Sequence, residues 1–262
     1  MDDHLTTGYR ELQPRVELSD HLSCLWFQVV VPGDPVEEVL VLPDACVDVV
    51  WRAGSAPIIA GPDTGPVAHE LAPGTVIVGA RFRTGLAPSL LGVAASELRD
   101  AQPPLETAWG RPAARQLEEA DRAGSAAGML EILQEALVRR LATGPAADPL
   151  IPPVVAWAAR PATPQLHHLV RRLGVSERTL RRRVEERVGY GPKTLQRVLR
   201  FQRMLRMGRG AWSLADLAAM AGYADQAHMT RESRRLAGVT PARLMAGGTR
   251  RAQQRSASGG AR

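Results

Sequence analysis

The spacing of apolar residues changes character along the chain. Up to about residue 85 they come in short runs closed by turn residues: LSCLWFQVVVPGD (22–34), EEVLVLPDACVDVVW (38–51), APIIAGPDTG (56–65) and GTVIVGARFRTG (74–85). In the last run Val76, Val78, Ala80 and Phe82 alternate with Ile77, Gly79, Arg81 and Arg83, the period of a strand with one drier face. Several such strands at close spacing predict a small β-barrel or sandwich. From about residue 87 the runs lengthen. Leu130, Leu133, Leu137 and Leu141 fall at helical spacing in a segment that ends at Gly144, so trailing helices are expected on the β-rich unit. The stretch at 143–163, rich in Pro and Ala, predicts a linker with one short helix around Val154–Ala159.

Past the linker the pattern is helical throughout, and it repeats. LGVSERTLRRRVEERVGYGPKTL aligns with AGYADQAHMTRESRRLAGVTPARL: Leu180 meets Met229, Gly189 meets Gly238, Pro192 meets Pro241 and Leu195 meets Leu244, at an offset of 49. A fixed offset means one supersecondary unit used twice. Each unit reads as a helix, a tight turn opened by Gly174 or Gly222, and a second helix capped by Ser176 or Asp225: a helix-turn-helix. Between them, residues 192–208 form a long helix opened by Pro192. Its apolar stripe runs through Leu195, Val198, Leu199, Phe201, Met204 and Leu205, and Arg197, Arg200, Arg203 and Arg206 recur every third residue beside it. The fold class expected is therefore α+β. A β-barrel or sandwich with flanking helices (1–142) precedes the linker (143–163), an all-α domain of two helix-turn-helix units joined by a long helix (164–247) and a disordered basic tail (248–262).

Charge divides at the same place. Residues 1–150 hold 11 Lys+Arg against 21 Asp+Glu, and residues 151–262 hold 22 against 6, a swing from −10 to +16. A basic domain behind an acidic one points the rear unit at a polyanion. Lys193 is the sole lysine, so the positive charge is almost all guanidinium, whose fork suits phosphate and guanine edges. In a helix-turn-helix the second helix enters the major groove with its N-terminal half on base edges. Leu180 and Val184 take the inner face of the first such helix, which leaves Arg178, Arg181 and Arg182 as base readers and Arg183 and Arg187 for phosphate. In the second, Met229 is the inward residue, Gln226 and Arg231 are the readers, and Thr230 joins Arg197 and Arg203 as phosphate contacts.

The residues from about 151 to 247 resemble the DNA-binding domain of AraC/XylS-type bacterial transcription regulators, most closely in GYADQAHMTRESRRLAGVTPARL. The resemblance implies a seven-helix domain that grips one face of DNA, with base contacts at Arg178, Arg181, Arg182, Gln226, Ala227 and Arg231. Two inner positions depart from that family, where Val184 and Ser233 stand in place of aromatics. LPDACVDVVW, AGPDTG and GARFRTG in the front half resemble an uncharacterised β-rich domain that precedes such DNA-binding domains. It implies effector sensing or dimerisation, and Trp26, Trp51, Phe82 and Arg83 are the pocket candidates by residue type.

The front half carries little catalytic signal. Asp44, Cys46, Asp48 and His69 could form a Cys/His site and the DTG at 63–65 resembles an aspartic protease loop, yet no nucleophile motif, phosphate loop or metal spacing accompanies them. No catalytic residue, metal or cofactor is expected. Cys24 and Cys46 are too few for a disulfide framework. The first residues do not read as a secretory signal, so a cytoplasmic, membrane-free protein is expected. Its expected partner is double-stranded DNA; a small-molecule effector, a second copy of the chain and, for an activator, RNA polymerase are the further ones. An enzymatic front domain and a low-specificity nucleoid-type factor are the alternatives to a sequence-specific regulator.

Overall fold

The computed structural model describes residues 8–120, 125–161, 165–208, 210 and 212–246, so the basic tail expected at 248–262 lies outside the described residues. Among the described residues the front half holds seven strands: β1 (Gly8–Leu12), β2 (Leu22–Val29), β3 (Glu37–Val41), β4 (Asp48–Arg52), β5 (Ile58–Ala60), β6 (Val67–Leu71) and β7 (Val76–Phe82). Five form an antiparallel sheet in the order β1-β2-β7-β4-β5, and β3 pairs antiparallel with β6 in a second sheet. Side chains alternate across the five-stranded sheet. Leu25 and Phe27 of β2, Val49 and Trp51 of β4, and Val78, Ala80 and Phe82 of β7 all enter one core.

That core is closed by helices. α1 (Ala87–Leu91), α2 (Ala95–Leu98), α3 (Glu106–Trp109), α4 (Arg111–Ala120) and α5 (Ala126–Thr143) follow the sheet. Ser125 caps α5 by accepting the Gly128 N–H at 3.1 Å, and α5 lays Met129, Leu130, Leu133 and Leu137 on the sheet. The opposite face of the sheet carries Cys24, Trp26 and Ile77, which pack with Val39 and Leu71 of the two-stranded sheet.

The rear half is helical: α6 (Ile151–Ala158), α7 (Leu166–Leu173), α8 (Glu177–Val188), α9 (Pro192–Met207), α10 (Leu214–Ala221), α11 (Gln226–Ala237) and α12 (Pro241–Ala246). Its second core gathers Ile151, Val154 and Trp157 of α6 with Leu180 and Val184 of α8, Leu195, Val198, Phe201 and Leu205 of α9, and Met229 of α11. The stretch expected as a linker thus carries a helix built into the helical core. Just ahead of that helix, buried Asp148 receives both Nε and Nη2 of Arg183 at 2.7 and 2.6 Å.

The two halves share surface. Leu42 and Ala45, from the β3–β4 connection, belong to the helical core, and Gln202 of α9 donates Nε2–H to the Pro43 carbonyl at 2.5 Å. The turn between α8 and α9 meets the front half as well, where Arg99 Nη1 reaches the Gly189 carbonyl at 3.5 Å.

Candidate DNA interface and the cavity behind it

The repeat seen in the sequence is a repeat in space. α7 and α8 are joined through Gly174, α10 and α11 through Gly222, and both glycines are left-handed. Ser176 Oγ accepts the Thr179 N–H at 3.1 Å, and Asp225 Oδ1 accepts the His228 N–H at 2.6 Å, so each second helix starts from a side-chain cap. A cap is worth about 1 kcal/mol and fixes where the helix begins, which fixes which residues occupy its first two turns.

On α8 those turns expose Glu177, Arg178, Arg181, Arg182 and Glu185, while Leu180 and Val184 are fully buried. The reader candidates thus stand together on one outer face. Glu177 holds Arg181 at 2.8 Å and Glu186 holds Arg182 at 2.7 Å, with the side chains 50% and 64% exposed. Exposed pairs of this kind are worth about 0–1 kcal/mol, so DNA can exchange them for base or phosphate contacts at little cost. On α11, Gln226, Ala227 and Arg231 are exposed, and Thr230 Oγ1 is turned back onto the Gln226 carbonyl at 2.9 Å. Ser233, which departs from the aromatic of the resembled family, is fully buried with Oγ 3.8 Å from Met204 Sδ. Its small side chain fills less of the α9–α11 contact than an aromatic would.

The phosphate candidates divide. Arg187 is partly exposed at the end of α8. Arg183 is committed to Asp148, and Arg197 grips Glu232 of α11 at 2.6 and 3.3 Å, which ties the long helix to the second reader helix. Arg203 is a correction to the sequence expectation. It is nine-tenths buried and donates Nη1–H to the Ala221 carbonyl at 3.0 Å, so it closes the C-terminal end of α10 and does not face a ligand. Burial, with Arg206 and Arg200 nearby, shifts its pKa down. Arg200 lies over the Tyr223 ring at 5.5 Å, and His228 meets that ring edge-on.

Residues 169–247 match the family described as "Helix-turn-helix domain". This region is an AraC-type helix-turn-helix domain. The protein is accordingly a DNA-binding regulator. Residues 10–104 of its front half match the family described as "Domain of unknown function (DUF6597)". Comparison with curated proteins found no match. Among solved structures, the chain is similar to ToxT from Vibrio cholerae in a P21 crystal form, with TM-score 0.45 and 10% identity over 91% of this chain and 98% of that one. It is also similar to unsaturated fatty acid bound wild-type ToxT from Vibrio cholerae strain SCE256, with TM-score 0.41 and 10% identity over 84% and 94%.

Ahead of the AraC-type domain, a cavity of about 370 Å³ opens between the two sheets. That is the size of a small-molecule site. Its walls are apolar in the middle, where Trp26, Val39, Val50, Leu71 and Ile77 face one another, and charged at the end nearest the helical half. There Arg81 sits against Asp48 at 3.2 Å, Asp44 at 3.5 Å and Glu11 at 3.6 Å, and Trp26 Nε1–H donates to Asp48 Oδ2 at 2.9 Å. Burial pushes the Asp48 carboxyl up to about 6, with Arg81 opposing and Asp44 adding to the rise. Burial, and then Asp100, Asp44 and Asp48, push Asp63 up to about 7. His69 is lowered by burial and by Arg52.

Of the four pocket candidates named by residue type, only Trp26 lines this cavity. Trp51 and Phe82 are on the other face of the sheet, fully buried in the front core, and Arg83 is exposed with Nε–H on the Ser19 carbonyl at 3.0 Å. Asp44, Cys46, Asp48, Asp63 and His69, which the sequence offered as a weak catalytic set, do come together here. The Cys46 thiol is held well above its ordinary pKa by burial and by Asp44. A thiol kept protonated is a poor nucleophile. Among the described residues no group of three or more His, Cys, Asp or Glu could hold a metal ion, and no helix is long and apolar enough to cross a membrane.

Proposed function

We propose that the protein is a cytoplasmic, sequence-specific transcriptional regulator that reads two adjacent major-groove segments with α8 and α11, under control of a ligand held in the front cavity. The observation that carries the reading is the pair of capped helices, offset by 49 residues, that turn Arg178, Arg181, Arg182, Gln226 and Arg231 to solvent while their inner faces are fully buried. Arginine pairs bidentately with guanine O6 and N7 and glutamine with adenine N6 and N7, so these side chains suit base edges. Arg187 and Thr230 suit the backbone beside them. α9 spans 16 residues, or about 24 Å, a length that suits two readers one DNA turn, about 34 Å, apart.

Control by a ligand is supported by one connection. Leu42, Asp44 and Cys46 line the cavity, while Leu42 and Ala45 pack in the helical core and Pro43 receives Gln202 of α9. Anything that moves this five-residue segment acts on the helix joining the two readers. Ala45 adopts φ 67°, a left-handed conformation that costs a non-glycine residue about 1–2 kcal/mol, so the segment stores strain that a ligand can use. A second copy of the chain and RNA polymerase are the other partners this role would require.

Selection of duplexes bound by the full chain from a random pool tests the reading. The expected result is two conserved blocks about 10 base pairs apart, at least one of them rich in G·C pairs. Recovery of unrelated sequences with no conserved block would instead indicate a nucleoid-type factor and overturn it.

A further inference from the structure

We propose that the front cavity takes an amphiphilic organic cation, an ammonium group on an apolar body that also carries a hydrogen-bond donor at its far end. This rests on the effector reading of the cavity above and adds the chemical class of the ligand. Three observations converge on it.

The first is the balance of charge at the inner end. Asp44, Asp48 and Asp63 line the inner end of the cavity beside one buried guanidinium, that of Arg81. Arg81 gives its Nε–H and Nη2–H to Asp48 and has Asp44 at 3.5 Å, so its charge is already compensated, and Asp63 stands outside those pairs. The other charged or titratable groups around the cavity include the Cys46 thiol beside Asp44, Asp100 beside Asp63, His69 on β6, Arg52 at the exposed outer end and Glu37, which sits beside Gln28. Carboxylates, one buried and two partly buried, in excess of the one guanidinium beside them favour a bound cation.

The second is an orphan acceptor at the outer end. Gln28 is 2% exposed and lines the cavity, its Nε2–H donates to Glu37 at 3.0 Å, and its Oε1 has no hydrogen-bond partner among the described residues. A buried acceptor left unpaired is unfavourable, and a ligand donor would satisfy it. Gln28 pairs with Ile77 across the sheet and Ile77 with Arg52, while Asp48 lies opposite Arg81. The orphan and the acidic end are thus four residues apart along β4, about 13 Å at about 3.3 Å per residue.

The third is the span between them. Trp26, Val39, Val50, Leu71 and Ile77 offer a donor-free apolar passage, with the Trp26 ring close to the acidic end because its Nε1–H is fixed on Asp48.

Calorimetric titration of the full chain at pH 8 with three eight-carbon probes tests the assignment: 8-amino-1-octanol, 1,8-octanediol and 8-hydroxyoctanoate. The aminoalcohol is expected to bind at least about tenfold more tightly than the diol, and the hydroxy acid more weakly than either. Asp63→Asn should cut the preference for the aminoalcohol over the diol about tenfold without disturbing the Arg81 cluster. Gln28→Met should weaken the aminoalcohol but leave octylammonium, which lacks the hydroxyl, unchanged. The proposal is overturned if the hydroxy acid binds as tightly as the aminoalcohol, if no probe binds at millimolar concentration, or if neither substitution changes aminoalcohol binding. None of those results would alter the selection of DNA duplexes, so the two readings fail separately.

Discussion

Gly189 and Gly238 occupy equivalent places in the repeat, each ending a reader helix in the left-handed region, with φ 95° and 71°. Replacing either with alanine imposes the same backbone penalty, about 1–2 kcal/mol, because a Cβ is disfavoured there. Their surroundings differ. A Cβ on Gly189 would stand 2.4 Å from Pro62 Cγ and 3.0 Å from the Ala95 carbonyl oxygen, both in the front half, whereas a Cβ on Gly238 would meet nothing nearer than Pro66 Cγ at 4.0 Å. Overpacking against a backbone carbonyl and a rigid ring adds about 1–3 kcal/mol. Gly189→Ala should therefore destabilise the protein by about 2–5 kcal/mol and Gly238→Ala by about 1–2 kcal/mol. Urea unfolding of the full chain followed by tryptophan fluorescence measures both. Equal losses for the two substitutions would refute the docking of the α8–α9 turn on the front half.

Three further outcomes are expected. Arg181→Ala should relax preference at one base position of a selected duplex by about 1–3 kcal/mol and leave the other block intact, as measured by competition with single-base variants. Arg203→Met removes the donor to the Ala221 carbonyl and should lower stability by about 1–3 kcal/mol, while the slope of DNA affinity against salt stays unchanged. Asp63 has a folded pKa raised to about 7 from 3.8, so its ionisation destabilises the fold: the effect is absent below pH 4, grows between pH 4 and 7 and is complete above 7. Asp63→Asn should therefore be more stable than the parent protein at pH 8, with the difference vanishing as the pH falls to 4, in thermal unfolding at a series of pH values.

The rear half was legible because its signals are local and doubled. Caps at Ser176 and Asp225, helix-ending glycines and apolar positions at helical spacing each specify structure within a few residues, and the 49-residue offset repeats them. The stripe of arginines on α9 misled for a geometric reason. Residues three apart advance about 300° around a helix, so each arginine is rotated about 60° from the last. Arg197 therefore meets Glu232, Arg200 the Tyr223 ring and Arg203 the end of α10. A row that looks continuous in sequence winds into the core.

The front half was harder to read because its function depends on pairs far apart in the chain. Gly8–Leu12 and Val67–Leu71 form strands although each holds charged or polar residues, since Arg10, Glu11, His69 and Glu70 find their places only once the sheets assemble. The alternation in β7 does sort its side chains onto two faces, but neither is wet, because Ile77 and Arg81 are buried as well, and the pocket was assigned to the wrong face. Phe82 and Trp51 were chosen as aromatics, but period two puts them with Val78 and Val49 in the helix-covered core. The same alternation sends Arg81 and Asp48 to the cavity. A charged residue flanked by apolar ones inside a strand was the available signal.

The central claim is that α8 and α11 read sequence. Its most direct test is the ratio of affinities of the full chain for a selected duplex and for the same duplex with both blocks scrambled, measured at one fixed salt concentration. The expected ratio is at least about a thousandfold. Affinities that agree within a few-fold would contradict it.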